Sequence, residues 1–326
     1  MRTKAIVIPA ANTIEMQDVE LKPIGADDVL IRTQLTSISA GTERMLLKGV
    51  MPHPMLQFPV VPGYETVGEV IEAGDNAREW LGKLVYVGGN YGFIGVNPAF
   101  GGQSEYIVAP KTHLTDLQTL TPEQGVLLAL AATALHGVNQ AGLTPSDAPK
   151  TVVILGQGIV GQLAARIVKA RGMQAIKLVV TDKEDGRLHY SQADVILNIS
   201  LDMQLSGAEF STIKGVDVLI DATGKMEAIS PWLMRMGRGG RVVLLGYYDC
   251  INLAYQPVFL KELTLVSSMQ WAPGDLAAAR DLIRDKALNV DDLVTHRMKA
   301  EDASQAFDVA FTDVNCLKMV LEWPAQ

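Results

Sequence analysis

The chain has 326 residues, 48% hydrophobic and 20% charged, with a net charge of −8. That length fits two domains with a sizeable core, and the acidic balance excludes a general nucleic-acid partner, because phosphate binding needs a basic face. Two cysteines, Cys250 and Cys316, lack CxxC spacing and exclude a disulfide framework or a zinc knuckle, so a reducing cytoplasm is expected.

In chain order, the start MRTKAIVIPAANTIEM has no long apolar core, and no signal peptide is expected. Short β-type runs follow at residues 5–8, 28–39, 67–74 and 83–89, separated by Gly and Pro. Residues 121–142 read as one helix, with Thr121 as N-cap, Pro122 in the first turn and Gly142 past the end. Its apolar stretch, 125–138, is 14 residues long, too short to span a bilayer. Strands and helices then alternate. Apolar strands are expected at 151–156, 176–182, 216–224, 241–248 and 263–271, with a helix from about 160 to 172. Continuous apolar strands between helices indicate a parallel sheet covered on both faces. Two amphipathic helices, 275–288 and 301–313, precede a closing strand at 317–323.

Gly156-Gln157-Gly158-Ile159-Val160-Gly161 is a G-x-G-x-x-G run that follows a strand and opens a helix. Gly156 permits the tight turn, Gly158 lets backbone approach a pyrophosphate, and Gly161 lets helix and strand pack closely. Asp182 ends the next strand, 21 residues after Gly161. A carboxylate there accepts from ribose hydroxyls and repels a 2′-phosphate, so NAD is expected, held also by Ile159 and Val160 at the helix start. Ala222, Thr223 and Gly246 lie at expected strand ends, where small residues admit a nicotinamide. The expected fold is α/β: a Rossmann doubly wound sheet beside a mainly β part. The apolar run 263–271 would be an exposed edge strand in a monomer, so a homodimer is expected.

Several pieces together (ISAGTE, PGYETVGEV, FGGQSEYIVAP, ALAATALHGV, ILGQGIVG and LVTHRMKAEDASQAF) resemble the medium-chain dehydrogenase/reductase superfamily over nearly the full chain. The resemblance implies a GroES-like catalytic domain split around the nucleotide domain, with residues 1–120 and 272–326 together and 121–271 between them. It also implies where a catalytic zinc would be bound. Its three ligand positions fall on Ala40, Tyr64 and Ala129, and the four-cysteine structural zinc lobe is replaced by residues 88–99. Alanine has no donor, so no zinc and no other metal is expected.

A narrower resemblance, carried by GTERMLLKG, MLQFPVVPGYETVGEV, EQGVLLALAATALHG and AFTDVNCLKMVLEW, is to the bacteriochlorophyllide dehydrogenases of bacteriochlorophyll biosynthesis. It implies NAD-dependent oxidation of a 3-(1-hydroxyethyl) group to 3-acetyl on a tetrapyrrole, by a cytoplasmic enzyme working near the photosynthetic membrane. Zinc-free members of the superfamily also reduce quinones and enones, and an NAD-binding assembly protein without catalysis is a third reading. On the enzyme reading, Thr42 takes the proton-relay position and Tyr64 the histidine position, so both would contact the reacting oxygen. Glu65 or Glu43 would accept the proton. Tyr64 as a plug filling the vacated metal site is the plainer alternative. Arg44 and Lys48 would pair with a propionate, Met51 and Met55 would line the macrocycle, and His53 would reach its central magnesium. His136 and His296 are expected to be structural.

Overall fold

The computed structural model describes residues 1–52, 56–143, 150–171, 176–200 and 208–324. His53 and Met55 lie outside these. By contacts the chain forms two units, Met1–Ala129 with Val290–Gln326, and Leu130–Asn289. Both divisions fall later in the chain than the expected boundaries at 121 and 272. The helix Asp275–Arg284 belongs to the second unit, where Asp275 faces His136 at 3.2 Å.

The first unit is organised by one long strand, Asp28–Ile38. It pairs antiparallel with Thr66–Ala73, Tyr106–Pro110 and Met319–Glu322. The last pairing sets Met319 against Ile38 and Val320 against Ser37, so the end of the chain completes a sheet begun near its start. Apolar residues of this sheet, among them Val29, Ile31, Val70, Val85 and Ile107, form a buried cluster. A second cluster holds Ile6, Ile38, Phe307, Leu321 and Trp323. Helix Ala40–Leu47 follows the long strand directly, with Ser39 as its N-cap residue.

Residues 121–142 form two helices rather than one. Pro122–Gly125 is capped reciprocally by Thr121 and Gln124, and Leu128–Gln140 follows after a break. Gly142 takes φ +67°, the left-handed conformation that stops the second helix.

Among the described residues the second unit holds six parallel strands in the spatial order Val195–Asn198, Ile176–Asp182, Lys150–Leu155, Val216–Asp221, Met236–Leu244, Thr264–Ser267. This is the doubly wound arrangement, and its order reverses at Lys150–Leu155. The strand Val195–Asn198 is an addition to the sequence expectation. The run expected at 263–271 is a strand only over Thr264–Ser267, at one edge of the sheet. Among the described residues no helix is long and apolar enough to cross a membrane.

Trp232 is fully buried in the main cluster of this unit, edge-on to Phe210 at 4.8 Å between ring centroids. Trp232→Ala is expected to cost about 3–5 kcal/mol through lost burial and the cavity left behind. A denaturant titration checks this as a lowered midpoint with unchanged slope.

Candidate active site

Two groups of functional side chains emerge, one in each unit. In the first unit the turn before strand Thr66–Ala73 presents Tyr64. Gly63 makes that turn with φ +99°, and a Cβ there would lie 2.9 Å from the Gln103 backbone nitrogen. Only glycine fits without displacing main chain. Tyr86 Oη donates to the Tyr64 carbonyl at 2.8 Å, and the Tyr64 ring meets Phe100 edge-on at 5.1 Å.

The Tyr64 hydroxyl lies 2.6 Å from Ser39 Oγ and also hydrogen-bonds the Thr42 side chain. Three hydroxyls therefore converge: Ser39 and Thr42 from the helix start, and Tyr64 from the turn. Burial, then the charge of Glu65, push the Tyr64 phenol well above its usual range. It stays neutral, able to donate and to accept a hydrogen bond.

Behind this cluster lie the two candidate bases. Glu43 accepts from the Ser39 backbone N–H at 2.6 Å and from Gln103 Nε2 at 3.3 Å. A helix start favours negative charge, yet desolvation and the Glu65 carboxylate outweigh that effect and raise Glu43 to about 8. Glu65 accepts from the Ser37 hydroxyl and pairs with Lys318. Gln103 links the group to the far side of the sheet: its Oε1 accepts from Thr36 Oγ1 at 2.5 Å, and Thr36 accepts from Trp323 Nε1 at 3.0 Å. Ser39, Gln103 and Lys318 are additions to the sequence reading. The available signal was a lysine inside the apolar run Cys-Leu-Lys-Met-Val-Leu, which calls for a buried partner.

A zinc ligand set does not fit these residues. Ala40 and Ala129 offer methyl groups and Tyr64 a neutral phenol, which is not a tetrahedral N/S donor set. Among the described residues no group of three or more His, Cys, Asp or Glu side chains is arranged to hold a metal ion.

The expected substrate residues fare unevenly. Arg44 donates from one nitrogen to the Phe311 carbonyl at 2.6 Å and lies over the Phe311 ring at 5.0 Å, while the residue stays exposed. Met51 is buried with Ile8, Leu46, Val60 and Ala99, as a core side chain rather than a lining one. Lys48 is exposed at the end of helix Ala40–Leu47. His296 pairs with Asp313 at 3.3 Å.

In the second unit the glycine run forms the turn from Lys150–Leu155 into helix Ile159–Ala170. Gly156 takes φ +85°, and a Cβ on Gly161 would sit 1.8 Å from the Gly156 carbonyl oxygen. Gly158 faces open space, with nothing within 4 Å of a built Cβ. Ile159 and Val160 begin the helix, whose free N–H groups suit an anion. Asp182 accepts from Gln157 N at 2.6 Å through one oxygen, and from Lys183 N and Glu184 N at 2.7 and 3.0 Å through the other. A carboxylate has about four acceptor positions, so one remains for a ribose hydroxyl. Lys183 turns toward Glu184, at 3.7 Å.

Ala222 N donates to Leu155 O at 2.9 Å, which ties the end of Val216–Asp221 to the central strand. The Thr223 hydroxyl is turned onto Asp221 at 2.6 Å, and Tyr248 donates to the same carboxylate. Gly224 and Gly246 approach so closely that a Cβ on Gly246 would lie 2.3 Å from Gly224 Cα.

Residues 25–119 match the alcohol dehydrogenase GroES-like domain, and residues 160–285 match the zinc-binding dehydrogenase family. The chain is 33% identical over 328 residues to the 2-desacetyl-2-hydroxyethyl bacteriochlorophyllide A dehydrogenase of Rhodobacter capsulatus, covering 99% of both chains. The chain belongs to the medium-chain dehydrogenase family. It is an oxidoreductase acting on CH–OH groups. The protein of the same name from Cereibacter sphaeroides is 31% identical, covering 100% of this chain and 99% of that one. D-xylulose reductase A of Aspergillus niger is 26% identical over 93% of this chain and 92% of its own. Among solved structures, an Escherichia coli CFT073 alcohol dehydrogenase in complex with NADH superposes with a TM-score of 0.85 at 22% identity, covering 98% and 99% of the two chains. At that identity the likeness establishes the fold.

Glu43 gives a signed pH prediction. Between about pH 4.5 and 8 the folded chain keeps a proton that the unfolded chain has released. Folding stability should therefore fall as pH rises through this window, by up to about 1.4 kcal/mol per pH unit from this group. Glu43→Gln removes that dependence. Urea midpoints at pH 5 and pH 8 should converge in the variant, and at pH 8 the variant should be the more resistant protein.

Proposed function

We propose that the protein oxidises the 3-(1-hydroxyethyl) side chain of a bacteriochlorophyllide to 3-acetyl, using NAD and no zinc. The observation carrying this reading is the cluster of Ser39, Thr42 and Tyr64 hydroxyls where the zinc relatives have metal ligands. Full-length similarity to two bacteriochlorophyllide A dehydrogenases supports the substrate class.

NAD would supply the hydride acceptor. The turn at Gly156 and Gly158 would receive its pyrophosphate, with Gly161 packing the helix against the strand, and Asp182 would accept from the ribose and disfavour a 2′-phosphate. Tyr64 and Thr42 hydrogen-bond the carbinol oxygen, and the departing proton moves through these hydroxyls to solvent at half-exposed Thr42. Zinc normally stabilises the developing alkoxide by several kcal/mol. Here the substrate lowers that requirement, because its carbinol carbon is attached to a conjugated macrocycle that delocalises positive charge as hydride leaves. The same hydroxyl pair would suit activated carbonyls, so quinone reduction with NADPH is the competing activity.

Mixing protein, NAD and 3-hydroxyethyl bacteriochlorophyllide should give the red shift of a newly conjugated carbonyl. Turnover of a quinone with NADPH in its place would overturn the assignment. In the pigment reaction Tyr64→Phe with Thr42→Val should lower kcat/KM by about 100-fold or more, the range of a lost proton-transfer group. Wild-type rates in that double variant would remove the pair from the mechanism.

The same reading includes a homodimer through the free edge of Thr264–Ser267, close in sequence to exposed Tyr255, Phe259, Leu260 and Met269. Light scattering should give twice the chain mass of 35.2 kDa. A monomer at assay concentrations would refute the dimer.

A further inference from the structure

The first unit buries one ammonium among two carboxyls. Lys318 and Glu65 are each 1% exposed and Glu43 is 0% exposed. Lys318 touches Glu65 Oε2, the same oxygen that accepts from Ser37. Among the described residues the ammonium has no partner besides Glu65, and Glu65 Oε1 has no hydrogen-bond partner. Thr295 and His296 hold the lysine main chain: its carbonyl accepts from Thr295 N at 3.2 Å and from His296 N at 3.1 Å. The side chain therefore enters the interior from a clamped position.

A buried charge without good pairing is strongly unfavourable, and three ionisable groups in one core are tolerated most easily at zero net charge. Two carboxyls and one ammonium reach zero only when one carboxyl is an acid. The contacts decide which. Glu65 touches the cation. Glu43 touches only neutral amides, from Ser39 and Gln103.

We propose that Lys318 is a positioning residue for the Tyr64 hydroxyl. Its ammonium fixes Glu65 as the carboxylate and leaves Glu43 as the acid, so the charge behind Tyr64 is balanced without a metal ion. The proposal rests on the zinc-free reading above and assigns to one lysine the compensating positive charge that a metal would bring.

The groups facing this cluster come from each packed element. Glu43 comes from helix Ala40–Leu47, Tyr64 and Glu65 from the turn before Thr66–Ala73, Tyr86 from Leu84–Val87, and Lys318 from the approach to Met319–Glu322. Burial holds Tyr64 and Tyr86 above their ordinary range, so both remain neutral. Lys318 acts on Glu43 in the opposite direction to burial and to Glu65. Removing the lysine should make Glu43 hold its proton to higher pH. Removing the Glu65 charge should release that proton at lower pH. As the proton leaves the alcohol, negative charge gathers on the oxygen beside Tyr64, and an unbalanced carboxylate behind it opposes that proton loss.

The test uses the purified full chain as wild type, Lys318→Met, Lys318→Arg and Glu65→Gln. The protonated carboxyl stretch of Glu43 is followed by infrared spectroscopy against pH, with Glu43→Gln as the subtraction control, and kcat/KM is followed over the same range. Lys318→Met should move the Glu43 midpoint up and Glu65→Gln should move it down, each by about one pH unit, with Lys318→Arg near wild type. The limb of kcat/KM that depends on Glu43 should move with them. A Glu43 midpoint unchanged across these variants overturns the proposal, whatever the activity. Midpoints that shift as stated, with no alcohol oxidised, would retain the charge arrangement and reject the proposed function instead. If Lys318→Met does not fold, Lys318→Met with Glu65→Gln removes both charges of the pair. In that double variant the two opposing shifts should cancel and leave the Glu43 midpoint near wild type, so Glu65→Gln alone carries the decision, and a midpoint not lowered in that single variant overturns the proposal.

Discussion

The first unit is arranged around a conflict between desolvation and charge. Glu43, Glu65 and Lys318 are held in an interior where each would be costly alone, and the surrounding polar atoms are placed to answer them. Ser37 and Lys318 meet Glu65, and Ser39 and Gln103 meet Glu43. Because those partners sit on the long strand, on the helix it runs into, beside strand Tyr106–Pro110 and beside the last strand, satisfying the charges fixes four pieces of chain. The Tyr64 hydroxyl inherits its position from that arrangement through Ser39 and through the glycine turn that precedes it.

The second unit solves a different problem with backbone rather than side chains. Its glycine turn has no room for a methyl group at Gly161 and open space at Gly158. One position therefore serves helix packing, and the other leaves the backbone open to approach. Asp182 does two jobs at once. It anchors the turn through Gln157 N and keeps acceptor capacity for a sugar hydroxyl. Turning Thr223 and Tyr248 onto Asp221 makes the neighbouring strand ends a braced pair.

The nucleotide half was legible in the sequence because its signals are local. The glycines, the apolar strands at 151–156 and 176–182, and Asp182 lie within a short span, and geometry requires those residue types there. The short strand Val195–Asn198 escaped because four residues carry too little periodicity. The catalytic half was legible only in part. Family resemblance named Tyr64 and Thr42 together as candidates, and their hydroxyls do meet, but Lys318 is far from Glu65 in sequence, and no local pattern reports a partner at that distance. Arg44 is a different case. Its charge suggested an anion, and the fold gives this exposed cation the Phe311 carbonyl and ring as neighbours. Met51 looked available for a flat ligand and is part of an apolar cluster.

The pairing of Met319–Glu322 with Asp28–Ile38 has a consequence for how the molecule comes into being. Synthesis runs from the first residue to the last, and residues 130–289 form a contiguous unit that can collapse while the remainder is still being made. Strand Asp28–Ile38 must wait until Met319–Glu322 is made, and Lys318 and Trp323 come with that strand, so Glu65 meets its cation only after residues 130–289 have been synthesised.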